Sequence, residues 1–285
     1  MKIVKFLGGL GNQMFQYAFY KALSAKYPNV KAHILGFDHY ELHNGFELEE
    51  VFNIKVNKAK PLIIKLFDPS FNKWQIRKLR RILFLKKTCF TEKKEFCLNS
   101  EAFEQKGNKL YWGYWQTEKY FESISKELKK DFEFINKLDD RNLAVMDQIL
   151  SSNSVAIHIR RGDYINHTIL GGICDLNYYK TAIQLIEEKI SAPVFFIFSN
   201  DINWCKRELN LPNAIFISWN TDKLSYIDMQ LMSNCKHNII ANSSFSWWAA
   251  WLNKNIEKTV IAPKKWTNDP KDTDIEILPE QWLKI

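Results

Sequence analysis

Hydrophobic and polar residues follow two different periods along this chain, and the C-terminal half shows the cleaner pattern. Short β-rich runs at Ser154 to Arg160, Val194 to Ser199, Ala214 to Ser218, Asn238 to Ala241 and Thr259 to Ala262 predict strands. Helix-period segments lie between them, near Asn177 to Lys189, Asn203 to Leu209, Leu224 to Ser233 and Phe245 to Leu252. This alternation predicts an α/β domain built on a doubly wound parallel sheet, with its ligand at the C-terminal ends of the strands. The N-terminal half opens with a strand over Lys2 to Leu7, a tight turn over Gly8 to Gln13 and an amphipathic helix over Met14 to Lys26. From Phe52 to Leu110 the pattern is irregular, broken at Pro61 and Pro69, and assigns no elements. A chain of 285 residues suits two domains, expected at 1–150 and 151–285 with the break after a helix ending near Leu150.

Four strand-to-helix transitions carry polar residues suited to an anionic ligand. The first is Gly8-Gly9-Leu10-Gly11-Asn12-Gln13, where backbone N–H groups face a helix N-terminus. It has neither the Gly-Lys-Ser/Thr of a P-loop nor the third glycine of a dinucleotide fingerprint, since Met14 stands there. In the second, Val155-Ala156-Ile157-His158-Ile159-Arg160-Arg161-Gly162-Asp163-Tyr164, strand alternation puts Val155, Ile157 and Ile159 on one face and Ala156, His158 and Arg160 on the other. Arg160 would then offer its planar fork of donors to a diphosphate, while Arg161 would pair locally with Asp163 across Gly162. The third, Phe198-Ser199-Asn200-Asp201, aims a carboxylate from the same rim. Asp201 either accepts from guanine N–H groups or caps the next helix. The fourth, Asn242-Ser243-Ser244-Phe245-Ser246-Trp247-Trp248, runs a strand into a helix whose start would favour phosphate. Its tryptophans read as packing rather than stacking platforms.

These clusters, together with GYWQTEKYF from Gly113, resemble the α-1,2-fucosyltransferases of glycosyltransferase family 11 in order and spacing across nearly the whole chain. The resemblance implies a GT-B-like two-domain arrangement, with GDP-β-L-fucose held by the C-terminal domain and the acceptor approaching from the N-terminal one. The implied acceptor is a galactose-terminated oligosaccharide, a candidate for lipid linkage, whose 2-hydroxyl receives the fucose with inversion. Arg160, Asp163 and Asn12 are the expected catalytic residues. Gly9, Gly11, Gln13, His158, Arg161, Asp201, Asn242, Ser243, Ser244 and Phe245 are expected to bind the donor. Deprotonating a sugar hydroxyl calls for a carboxylate or His, and Asp163 is the first choice, ahead of His167, Asp175 or no dedicated base. The α-1,6 relatives carry a glutamate a few residues past the paired arginines, whereas this chain reads Tyr164-Ile165-Asn166-His167-Thr168.

No cofactor is expected, metal included, because Arg160, backbone N–H groups and helix ends would neutralise the leaving diphosphate. The DxD string Asp272-Thr273-Asp274 lies too late in the chain, in a loop, to suggest a metal site. A formal charge of +8 favours polyanionic partners, and the absence of any nucleic-acid-binding signature turns that preference toward phosphorylated substrates. Five scattered cysteines fit a reducing compartment, and neither a signal peptide nor an apolar run of membrane-spanning length is evident, so the expected location is the cytoplasm. The stretch Asn72 to Lys87 holds seven Lys or Arg, no acid, and interleaved apolar residues. It reads as a helix face packed on the core, or as a contact with the inner membrane surface. Use of another nucleotide sugar, or glycan binding without turnover, are the alternative readings. The product would enter a bacterial lipopolysaccharide, O-antigen or capsule.

Overall fold

The computed structural model describes residues 1–37, 44–85 and 87–285, apart from the side chain of Asp163. The chain divides into two compact units, Met1–Glu133 with Asp274–Ile277, and Phe134–Thr273 with Leu278–Ile285.

The first unit is ordered β1 (Lys2–Lys5), α1 (Leu10–Lys26), β2 (Val30–His33), α2 (Leu48–Phe52), α3 (Pro61–Phe67), α4 (Trp74–Ile82), β3 (Cys89–Thr91), β4 (Lys109–Trp112) and α5 (Ser125–Asp131). Its four strands are parallel in the order β2-β1-β4-β3. The aromatic richness of this half fills its core: Phe19 stacks on Trp115 at 4.0 Å and meets Tyr111 and Tyr120 edge-on. The expected turn at Gly8 to Gln13 is shorter than the sequence suggested. Helix α1 starts at Leu10 with Gly9 as its N-cap, so Gly11, Asn12 and Gln13 form its first turn. Gly8 alone takes the left-handed backbone, at φ 79°.

The second unit continues with α6 (Asp140–Ser151), β5 (Asn153–Ile159), α7 (Leu176–Lys189), β6 (Pro193–Ser199), α8 (Ile202–Glu208), β7 (Ile215–Ile217), α9 (Tyr226–Asn234), β8 (His237–Ile239), α10 (Ser244–Leu252), β9 (Val260–Ala262) and β10 (Leu283–Lys284). All six strands are parallel, in the order β10-β9-β8-β5-β6-β7. The five strands and four helices expected here are present within a few residues of their expected ends. Alternation along β5 holds: Val155, Ile157 and Ile159 are buried with Tyr179, Ala182 and Ile186 of α7. In α10, which packs on α9, Trp247 and Trp248 are fully buried and meet edge-on.

The expected break at residue 150 lies inside the second unit. Helix α6 buries Asn142, Val145 and Ile149 and packs on β5 and α9, which assigns it to the sheet that follows it. The segment Asp274–Ile277 returns to the first unit through paired bonds. Glu276 N–H donates to Phe96 O (2.7 Å), its carbonyl accepts from Thr117 Oγ1 (2.8 Å), and its carboxylate accepts from Leu98 N–H (2.7 Å) and Lys119 Nζ (2.7 Å).

Candidate active site

In the second unit the chain leaves β5 for β6 and β7 on one side, then crosses back through α9 to β8 on the other. The C-terminal ends of β5 and β8 therefore flank a topological switch point, the crevice in which open α/β sheets hold ligands. Two of the four sequence clusters meet there. The His158 ring from β5 lies 5.8 Å from the Phe245 ring at the start of α10. Beyond β5, the Arg160 guanidinium lies 5.6 Å from the Tyr164 ring, whose hydroxyl reaches the carbonyl of Asn242 at 3.5 Å.

His158 is 7% exposed, and its buried Nδ1 meets no hydrogen-bond partner among the described residues. Burial, and then the Arg160 charge, lower its pKa to about 3, so the ring is neutral at physiological pH. A neutral imidazole with an unused ring nitrogen, beside a guanidinium, suits a polar ligand that supplies the missing partner. At the start of α10, Ser243 is the N-cap: its Oγ accepts from Phe245 N–H at 3.4 Å and its carbonyl from Trp247 N–H at 3.0 Å. Ser244 and Phe245 thus occupy the first turn, at the positive end of the helix dipole.

Several expected ligand residues also hold the frame of the site. Asn242 is buried, its Nδ2 donating to Leu170 O (3.0 Å) and Trp266 O (3.1 Å) while its Oδ1 accepts from the Cys174 thiol (3.5 Å). That uses its amide to join three loops around the switch point. Asp201 caps α8 by accepting from Trp204 N–H (3.1 Å), and its second oxygen accepts from Arg161 Nε (3.2 Å). Arg161 also lies over the Trp204 ring at 4.1 Å. Among the described side chains its acidic partner is Asp201, just past β6. The side chain of Asp163 lies outside the described residues.

Asn200 and Tyr164 lie within the sequence clusters but carry no expected role there. Asn200 Oδ1 accepts from Arg161 N–H at 3.0 Å, locking the turn that follows Arg160. The available signal was Gly162, a residue without a side chain at the point where the Asn200 amide needs the space.

The glycine cluster of the first unit is equally committed. Gln13 is fully buried, its Nε2 donating to Gly8 O (2.9 Å) and Gly45 O (2.8 Å) and its Oε1 accepting from Glu47 N–H (2.9 Å). It therefore braces a loop. Asn12, partly exposed, accepts from Gln116 Nε2 at 2.7 Å, which joins GGLGNQ to the GYWQ segment after β4. Gly9 caps α1 and Gly11 is buried in its first turn. Among the described residues, no group of three or more His, Cys, Asp or Glu is placed to hold a metal ion.

The family model for glycosyl transferase family 11 matches residues 1–285. The chain belongs to that family. It is 37% identical to an alpha-1,2-colitosyltransferase of Escherichia coli, over 99% of this chain and 98% of the relative. It is 32% identical to the O-antigen biosynthesis glycosyltransferase WbnK of Escherichia coli, over 91% of this chain and 92% of that one. Among solved structures, the α-1,6-fucosyltransferase NodZ soaked with GDP-fucose matches with a TM-score of 0.55 at 13% identity, covering 88% of this chain and 92% of that one. At that identity the likeness concerns the fold, which is GT-B-like. The family 11 chain is therefore a glycosyltransferase.

Proposed function

We propose that this family 11 enzyme transfers a 6-deoxy-L-sugar from its GDP derivative to the 2-hydroxyl of a terminal galactose, with inversion, during assembly of a bacterial O-antigen-type glycan. L-Fucose is the first choice of sugar. One observation carries the reading: the switch point between β5 and β8 gathers the unpartnered nitrogen of His158, the Arg160 guanidinium and the first turn of α10. Those are the donors a nucleoside diphosphate needs.

In the proposed step the acceptor oxygen attacks the anomeric carbon as the bond from that carbon to the diphosphate breaks. The sugar becomes α-linked, and GDP leaves with the bonding electrons. Charge then grows on the diphosphate, where a preorganised donor typically supplies about 3 kcal/mol in the transition state. Arg160 and the N–H groups of Ser244 and Phe245 are assigned that task, without a metal ion. Full activity in EDTA supports this assignment; activity that is abolished by EDTA and restored by manganese refutes it. Asp163 is assigned as the base that takes the hydroxyl proton, on its place in the sequence.

A second donor is favoured by the 37% identity to an alpha-1,2-colitosyltransferase. Colitose is L-fucose without its 3-hydroxyl, so the two donors differ by one polar group. A site built to bond that hydroxyl rejects the deoxy sugar strongly, whereas an apolar wall discriminates weakly. Release of GDP from GDP-L-fucose and from GDP-L-colitose, each with a β-galactoside acceptor, tests the proposal. Fucose is the donor if its kcat/KM is the higher. Acceptor-independent hydrolysis alone, or no turnover of either donor, overturns the reading.

A further inference from the structure

Helix α4 departs from the expectation that its apolar face packs on the core. All its residues are exposed or half-exposed, and Trp74 and Ile82 are 69% and 59% exposed. The chain continues outward past the helix, with Leu83 and Phe84 at 47% and 92% exposed. An amphipathic helix normally stays on a domain by burying such residues. Here a polar tie does that work. Arg80 Nε donates to Leu66 O (2.9 Å), and its Nη2 donates to Lys65 O (2.7 Å), Phe71 O (2.8 Å) and Asp68 O. Four carbonyls in and just after the last turn of α3 hold the helix from beneath, and Leu79 and Leu85 join the neighbouring apolar cluster as partly buried members.

The outward arc of α4 is left with two kinds of side chain. Trp74, Arg77, Lys78, Arg81 and Ile82 follow one another around it at helical spacing, all exposed. Lys73 and Lys87 flank it, also exposed, while Lys86 lies outside the described residues. No acidic residue occurs between Asn72 and Lys87. A groove of about 580 Å³ opens beside the helix, lined by Phe67, Trp74, Arg77, Arg81, Leu85 and Cys89 among others.

The geometry points to docking of the first unit on an anionic phospholipid bilayer, through α4 and the Leu83–Phe84 corner. Trp74, Ile82, Leu83 and Phe84 enter the interfacial zone, where an aromatic ring and aliphatic side chains gain from leaving water. Arg77, Lys78 and Arg81 bond the phosphates of the headgroups, with the groove receiving one of them. A soluble protein partner would also cover apolar groups, but a patch of unmixed positive charge with peripheral aromatics has the complement of an acidic, deformable surface. This inference stands apart from the choice of sugar donor.

Flotation of the full-length protein with vesicles tests it. Binding is expected on vesicles of phosphatidylglycerol mixed with phosphatidylcholine, weaker in high salt, and negligible on phosphatidylcholine alone. Each cation near such a leaflet is worth about fivefold in partitioning, so the double variant Arg77→Glu/Arg81→Glu is expected to lose at least about 25-fold. Trp74→Ser with Phe84→Ser should weaken binding without abolishing its salt dependence. Turnover of a soluble galactoside is expected to survive both changes, since neither touches the switch point. If the reversed pair melts early, Arg77→Gln/Arg81→Gln asks the same question. Equal binding to neutral vesicles, or variants that float like the wild type, overturns the proposal. So does complete displacement by soluble glycerol phosphate, which would make the groove a site for a free anion.

Discussion

The side-chain amide of Asn200 occupies the space that a β-carbon on Gly162 would need: such a carbon would lie 2.3 Å from Asn200 Nδ2. The same amide accepts the Arg161 N–H, so the turn after Arg160 is clamped by an element from the adjacent strand. Gly162→Ala must push Asn200 aside and release that turn. We expect a fold that melts close to wild type and a kcat/KM for the donor about tenfold lower or worse, read by steady-state GDP release. A matching loss in Asn200→Ala, without a further loss in the double variant, would show that the two act as one device.

Arg160 is the sharpest test of the proposed chemistry. Arg160→Ala is expected to cut turnover by about 100-fold or more, because one donor to the leaving diphosphate is lost. Arg160→Lys keeps the charge but not the planar fork and should fall between that variant and wild type. Titration calorimetry with GDP checks the assignment independently, since both variants should bind it more weakly. Unchanged GDP affinity would move the diphosphate elsewhere.

Asn242 gives the opposite signature. With its amide shared among Leu170 O, Trp266 O and the Cys174 thiol, Asn242→Ala strands the buried Trp266 carbonyl and the half-buried Leu170 carbonyl. The expected cost is roughly 2–4 kcal/mol of stability in urea unfolding. A variant of normal stability that has lost GDP binding would instead make Asn242 a ligand residue.

A buried carboxyl in the first unit should make stability depend on pH. Glu92 accepts from Tyr114 N–H (2.8 Å) and Trp115 N–H (3.1 Å) through one oxygen, while the other is buried with no partner among the described residues. Burial outweighs those bonds and raises its pKa from 4.5 to about 7. The folded state thus holds this proton more tightly than the unfolded state. Its stabilising contribution is complete below about pH 4.5 and is lost as pH rises through 7. The swing is at most about 3 kcal/mol. Glu92→Gln should flatten the fall in melting temperature between pH 5 and 8, measured by circular dichroism, by a few °C. The flattening will be partial, because burial also raises Asp228 in the second unit to about 7.

The sequence pattern was most informative where each strand is buried on both sides and each helix on one. Val155, Ile157 and Ile159 alternate cleanly because α7 covers one face of β5 and other helices cover the other. Between Phe52 and Leu110 the elements are short, and α4 is held by Arg80 bonding to carbonyls while much of its apolar face stays exposed, so its hydrophobic period does not mark a core. The candidate site was legible to the extent that chain chemistry sits at strand ends, which located His158, Arg160 and the Ser243 cap. Which amides face a ligand and which brace a loop was not legible. Gln13 and Asn242 also brace loops, and the carbonyls they bond, at Gly45, Leu170 and Trp266, lie well away in the chain.

The clasp around Glu276 sets an order of events during synthesis. Thr117, Leu98 and Lys119 emerge from the ribosome long before the residue that satisfies them, and the whole second sheet except its last strand is translated in between. The N-terminal half must therefore wait, incomplete, until strands β5 to β9 have been made. A released chain truncated just short of Asp274 should be cut by protease around Phe96 to Lys119, and one that includes Asp274–Ile277 should resist.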